Sequence, residues 1–101
     1  MGATLFPMTY RMIGQDAMIV MRVGKGRQPV RVTHDALADI QSPPRSDATR
    51  LAEYIEVFAA IATGKIDAGE IAFDGRVWIT GDDVRTWLFH RNAGVIRQMT
   101  G

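Results

Sequence analysis

The chain has 101 residues, of which 47% are hydrophobic and 23% charged, and these proportions are typical of one globular domain rather than of a disordered or fibrous chain. It contains no cysteine, which excludes disulfides, thiol nucleophiles and cysteine-ligated zinc sites. Wholly apolar runs such as residues 17–21 are far shorter than the roughly 20 residues of a membrane-spanning helix. No secretory signal pattern is visible either, so we expect a soluble, cytoplasmic protein with no membrane segment.

The net charge is +1, but charge is distributed unevenly along the chain. Residues 1–33 carry a net charge of +4, residues 34–83 a net charge of −6, and the remaining residues a net charge of +3. Two basic ends that flank an acidic centre can pair with each other, with a second copy, or with a polyanion.

The first predicted elements form an antiparallel β-hairpin. Residues 19–23 and 30–33 are rich in β-branched residues, and the link between them contains Gly24 and Gly26. Pro29 cannot donate a ladder hydrogen bond, which places it at the start of the second arm or on a sheet edge. A further strand over residues 9–13 would extend the hairpin to a three-stranded meander.

Two helices are predicted next. Thr33 is a suitable N-cap for a short helix over residues 34–40, and the following Pro43 and Pro44 interrupt the chain. Asp47 or Ser46 then caps a long helix that we expect to run to about residue 63 and to stop at Gly64. Its apolar residues recur at spacings of three and four and form one stripe: Leu51, Tyr54, Ile55, Phe58, Ile61 and Ala62.

A second hairpin is predicted around Asp74 and Gly75, since this pair between two apolar arms is preferred in a type I′ turn. In that register Ile71 lies opposite Trp78. Both faces of such a hairpin would carry apolar groups, so one face should meet the long helix and the other a further element or a partner.

The segment from Thr80 to Asp83 predicts the start of the last helix. A threonine followed three residues later by an acid, directly before an apolar run, is a capping box. Capping therefore accounts for Asp82 and Asp83 better than an acid and base pair does. We expect this helix to end near Asn92 or Gly94, and residues 1–8 and 95–101 to be the disordered ends of a single domain.

Candidate catalytic and metal-binding residues are few. His34 and His90 are far apart in sequence, and no motif links either of them to a nucleophile. His34 and Asp39 are five residues apart and do not share a helix face, which argues against a metal site there. The sequence thus predicts no catalytic residue, no metal and no cofactor.

Three stretches, residues 30–40, 51–66 and 69–80, resemble in their order a family of short proteobacterial proteins known as domain of unknown function 1488. The shared pattern is a hairpin that leads into a short helix with an Ala-Leu step, here Ala36-Leu37, then a helix with Phe and Ile, then a glycine-led strand. The resemblance covers roughly residues 17–80. It implies an α+β fold and no established activity.

The expected architecture is a single α+β domain with an N-terminal antiparallel hairpin or meander, a short helix, a long helix, a second β-hairpin and a C-terminal helix. As its function we expect non-enzymatic protein–protein contacts or self-association, made through an interface that contains Trp78, Arg76, Trp87 and Arg91. The alternative is a nucleic-acid or other polyanion-binding protein that uses a basic loop at residues 22–31, with Arg22, Lys25, Arg27 and Arg31, together with the C-terminal arginines. We rank it second, because the second hairpin and the long helix carry several acids.

Overall fold

A computed structural model of the protein describes residues 5–100, with side chains described for residues 5–91. Its elements in chain order are β1 (Pro7–Ile13), β2 (Asp16–Val23), β3 (Gly26–Val32), α1 (His34–Asp39), α2 (Ala48–Glu53), α3 (Ile55–Asp67), β4 (Val77–Ile79) and α4 (Gly81–Thr100). The four strands form one mixed sheet in the order β1-β2-β3-β4. The predicted α+β class is confirmed.

The first three strands form the predicted antiparallel meander. Ile13 pairs with Asp16 and Val23 pairs with Gly26, so each link between strands is short. The first residue of each link is a glycine with positive φ, 66° at Gly14 and 59° at Gly24. This is the glycine position of a type II′ hairpin turn, in which other residues are strained.

The predicted second hairpin is wrong. Residues 70–76 form a turn in which the Gly75 amide donates to the Ala72 carbonyl at 2.9 Å, and β4 pairs instead with β3, in parallel. The reason is burial, because pairing with β3 places Val77 and Ile79 wholly inside the core. An isolated two-stranded hairpin has no such core and is marginal in water.

The helical segment after β3 agrees with the sequence at its caps and differs in its length. Thr33 and Asp47 cap α1 and α2 as predicted, each accepting a hydrogen bond from a backbone amide three residues ahead. The prediction of a single long helix is wrong. The helix is interrupted at Tyr54, and α3 then continues past Gly64 to Asp67. Tertiary packing explains the break, because α2 packs against β1 whereas α3 packs against β4 and α4.

The last helix begins with the predicted capping box. The Thr80 amide donates to Asp83 Oδ2 at 2.8 Å, and the Asp83 amide donates back to Thr80 Oγ1 at 3.4 Å. The helix continues to residue 100, so the predicted end near Asn92 or Gly94 is wrong; a helix-internal glycine costs only about 1 kcal/mol. Of the termini predicted to be disordered, residues 7 and 8 belong to β1, residues 95–100 belong to α4, and residues 1–4 and 101 lie outside the described residues.

One apolar cluster forms the core between the sheet and the helices. The strands contribute alternate residues, and the helices contribute Leu37, Leu51, Phe58 and Val84 among others. The strand residues on this inner face are Ala17, Ile19, Met21, Val30, Val32, Val77 and Ile79. Successive strand residues point to opposite sides, so the residues between them form a second, outer sheet face.

Arg50 is a buried cation that was not predicted from the sequence. It is 3% exposed and donates to the Gln41 carbonyl at 2.7 Å and the Pro43 carbonyl at 2.9 Å. It thereby ties the proline-containing loop to α2. Across residues 5–100, none of the helices is both long enough and apolar enough to cross a membrane.

Candidate functional site

The outer face of the sheet combines several cations with apolar side chains. Its members follow from strand register: Arg11 opposite Met18, Val20 opposite Pro29, Arg22 opposite Arg27, and Met18, Arg31 and Trp78 in one row across β2, β3 and β4. Asp16 lies on the same face at the start of β2. Residues that share a face in this way are within reach of one another. We call this set, with Lys25 at the adjoining turn, the outer sheet face.

Arg22 and Arg27 form a like-charged pair across β2 and β3. Both side chains are exposed, and so is Lys25 in the turn between their strands. Within the described part of the chain, no carboxylate lies in ion-pair range of Arg11, Arg22, Lys25 or Arg27. The four predicted polyanion-contact residues, Arg22, Lys25, Arg27 and Arg31, therefore lie on one hairpin, and three of them have no described acidic partner.

Arg31 is held differently from the other arginines of this face. Its Nη2 lies 3.1 Å from Asp16 Oδ2, and its guanidinium carbon is 5.9 Å from the ring centroid of Trp78. Burial raises the pKa of Asp16, but the hydrogen bonds from His34 and Arg31 outweigh it, so that this pKa lies below its ordinary value. Asp16 is therefore ionised at neutral pH and fixes Arg31 beside the indole.

The indole N–H of Trp78 is held by Asp74, in the turn before β4. Its Nε1 donates to Asp74 Oδ2 at 3.1 Å, and the Asp74 side chain also accepts from the Arg76 amide at 2.9 Å. This backbone hydrogen bond lowers the pKa of Asp74, against a smaller opposing effect of burial. The indole is half-buried, its N–H is satisfied, and its exposed part adds apolar area to the outer sheet face.

The four residues of the predicted partner interface fall into two groups. Trp78 and Arg76 lie at β4 beside the outer sheet face, whereas Trp87 lies on α4, packs against the core and lines a groove between α3 and α4. The guanidinium carbon of Arg91 is 5.4 Å from the ring centroid of Trp87. Neither group has an observed partner, so each stays a prediction.

Two apolar side chains that the sequence predicted as members of a strand arm are exposed in the turn before β4. Phe73 is 111% exposed and Ile71 is 46% exposed, both in the turn that was predicted to be a strand arm. The apolar pattern identified them as strand residues, and only the pairing of β4 with β3 leaves them in solvent. They precede the predicted interface residues Arg76 and Trp78 in the sequence.

The groove between α3 and α4 has a volume of about 330 Å³ and contains an ionic cluster near Trp87. Lys65 Nζ lies 3.0 Å from Asp83 Oδ2 and 3.8 Å from Glu70 Oε1, and His90 lines the same groove. Burial raises the pKa of Asp83, but the Thr80 and Lys65 contacts outweigh it and lower that pKa overall. The capping box and this ion pair account for Asp83 without a catalytic role.

His34 is the histidine with the closest carboxylates. Its Nδ1 is 3.2 Å from Asp16 Oδ1 and its Nε2 is 3.1 Å from Asp35 Oδ1, on a side chain that is 57% exposed. The contacts tie the start of α1 to β2, because the His34 amide also donates to Asp16 at 2.9 Å. Among the described residues, no group of three or more histidine or carboxylate side chains is placed to hold a metal ion.

In comparisons with known proteins, no protein-family model, curated protein or solved structure matches the chain. The resemblance to domain of unknown function 1488 stays a prediction.

Proposed function

We propose that the protein is a small non-enzymatic binding module that binds nucleic acid through its outer sheet face. The observation that carries the proposal is the Arg22–Arg27 pair. Like charges directly opposite each other in a sheet destabilise it, and among the described residues no acid offsets the repulsion. A phosphate chain would convert this repulsion into favourable contacts, since Arg recognises phosphate in a bidentate manner.

Segregation of charge by layer supports the same function. Of the 11 acidic residues, Asp16 alone lies in a strand, and the others lie in the helices or the connecting segments. The basic segment, residues 1–33, thus contains strands β1 to β3. The acidic segment, residues 34–83, lies mostly in the helices. The acidic residues that made nucleic-acid binding the second choice in the sequence analysis lie mainly in the helical layer, on the side of the core opposite the outer sheet face. Asp74 is the exception, because it lies beside Trp78.

The test is a titration of a fluorescently labelled oligonucleotide, followed by anisotropy at several salt concentrations. If Arg11, Arg22, Lys25 and Arg27 each neutralise one phosphate of a single-stranded oligonucleotide, the slope of log affinity against log salt should be about −3. The double variant Arg22→Gln/Arg27→Gln should weaken binding and bring the slope to about −1.5.

Arg91→Gln is the matched control, because Arg91 is also exposed but lies on α4. It should bind like the wild type. Equal losses in the control and the double variant, or binding that does not respond to salt, would contradict the assignment to the outer sheet face.

A second candidate function, a protein–protein contact, is favoured by one observation, the exposure of Phe73 and Ile71 next to Arg76 and Trp78. Interfaces are enriched in aromatic residues and Arg, and a fully exposed Phe contributes nothing to the fold. Light scattering at increasing protein concentration tests the self-association form of this function. Phe73→Ser should lower the average mass if the turn is the interface, and an unchanged mass would remove this candidate for self-association.

A further inference from the structure

We propose that the nucleic acid taken by the outer sheet face is single-stranded, with a base stacking at Trp78 and phosphates contacting Arg22 and Arg27. This inference rests on the proposed function and specifies its ligand. It follows from the apolar surface between the cations, from the fixed indole, and from the width of the sheet.

The outer sheet face is not uniformly basic. Between the row of Arg22 and Arg27 and the row of Met18, Arg31 and Trp78 lies the row of Val20 and Pro29, and these two residues are half-buried. Apolar area between cations serves no purpose for a ligand that presents only phosphates. It matches a ligand that presents phosphates along one side and flat, unpaired bases along the other.

Trp78 is prepared for stacking by its neighbours. The hydrogen bond to Asp74 satisfies the indole N–H, so that burial of the ring by a ligand leaves no donor without a partner. Arg31 is held by Asp16 next to the ring, and a guanidinium plane also stacks on bases. Both groups are therefore ordered before any ligand arrives, which lowers the entropic cost of binding.

The dimensions of the face suit a few nucleotides. Arg22 and Met18 are four residues apart on β2, which corresponds to ~13 Å at about 3.3 Å per residue. At ~3.4 Å per nucleotide in a stacked strand, the distance accommodates at most about four nucleotides. One end of such a segment would contact the arginine pair while the other end reached Trp78.

The sheet is too wide to enter a duplex groove. The hairpin of β2 and β3 is flanked by β1 on one side and by β4 on the other. Four strands at ~4.8 Å spacing extend over ~14 Å between the outer strand axes, and the major groove of B-form DNA is about 12 Å wide. A two-stranded ribbon can read a groove, but this sheet would meet only the phosphates of a duplex.

The test uses full-length protein that carries Trp87→Phe, so that Trp78 is the only tryptophan and its emission reports on the proposed site. Three probes are titrated at one salt concentration: an oligothymidylate of 12 nucleotides, a DNA duplex of 12 base pairs, and inorganic polyphosphate. The oligothymidylate should quench Trp78 emission and bind at least about 10-fold more tightly than the other two probes, as expected for one stacked base. Trp78→Ala, in the wild-type background, should lose that advantage in anisotropy, and Trp78→Phe should retain most of it.

The outcomes separate the two proposals. Equal affinity for all three probes without quenching, or a preference for the duplex, would overturn the single-strand inference but would not contradict the proposed nucleic-acid binding by the outer sheet face. Failure of all three probes to bind would overturn both. Circular dichroism of each variant confirms that a loss of binding is not a loss of fold.

Discussion

Arg22 on β2 lies directly opposite Arg27 on β3, with both side chains exposed, and no described carboxylate is in contact with either guanidinium. Repulsion between these two guanidinium groups lowers the stability of the folded protein. A surface residue that lowers stability and is placed to contact an anion has the character of a binding residue, because function and stability are often in conflict at such sites.

Removing one member of this pair should stabilise the protein. Arg22→Gln relieves the repulsion across the strands, so the free energy of unfolding in urea should rise by about 0.2–1 kcal/mol at low salt. The gain should shrink in 1 M NaCl, where the Debye length is only about 3 Å. Arg45→Gln is the control, since Arg45 is paired with Asp47 at 2.8 Å and its removal should cause no gain. A loss of stability in Arg22→Gln at low salt would contradict the repulsion.

Two glycines should respond in opposite directions to alanine. Gly64 lies inside α3, and a methyl group there would meet no atom within 4 Å, so Gly64→Ala should stabilise the protein by about 0.5–1 kcal/mol. Gly24 has a φ of 59°, so Gly24→Ala should destabilise by about 1 kcal/mol despite equally open space. Thermal unfolding of both variants checks the pair, and a shift of the same sign in both would disprove the conformational explanation.

Asp83 should make stability depend on acid pH. Its pKa is lower in the folded protein than in the unfolded chain, so its contribution is fully present above the unfolded value of ~3.9 and is lost as pH falls from there through the lower folded value. Asp83→Asn should therefore lower the free energy of unfolding by about 1 kcal/mol at pH 7. The difference from wild type should decrease as pH is lowered below the unfolded value.

Asp82→Asn provides the comparison, because Asp82 also lies in the first turn of α4 but does not form the capping box. Urea unfolding between pH 3 and pH 7 measures both variants. Asp82→Asn should stay closer to the wild type throughout, and equal effects of the two substitutions would show that general helix-end electrostatics, rather than the capping box, explains Asp83.

Arg50 should be among the most sensitive charged positions. Arg50→Met leaves the carbonyls of Gln41 and Pro43 without their donor, and the free energy of unfolding should fall by about 2–4 kcal/mol. Arg50→Lys keeps the charge but cannot bridge both carbonyls, so we expect an intermediate loss. Urea unfolding at neutral pH tests the series, and wild-type stability in Arg50→Met would show that the loop is held by other contacts.

Local chemistry in the sequence predicted the caps and the meander correctly. Thr33, Asp47 and the pair Thr80 and Asp83 cap helices as expected, because a cap needs only a side-chain oxygen a few residues from the amides that it serves. The meander followed from β-branched runs separated by glycines at positive φ. The candidate residues Arg22, Lys25, Arg27 and Arg31 were also identifiable, since they are close together in sequence.

The pairing of β4 with β3, which are far apart in sequence, could not be predicted from the sequence. The apolar residues 71–73 and 77–79 equally suit a hairpin or a strand that joins β3 from far along the chain, and only burial of Val77 and Ile79 decides between them. That choice exposes Phe73 and places Trp78 next to Arg31 on the outer sheet face. It also separates Trp78 from Trp87, which the sequence grouped in one interface.

The sequence by itself determined the α+β class, the helix starts and the concentration of positive charge in the first strands. Tertiary structure alone decided that the arginines share a sheet face with Trp78 while most of the acids lie in the helical layer. The physical reason is range: capping and turn formation act over a few residues, whereas the sides of a sheet are assigned by the burial of apolar residues contributed by the whole chain.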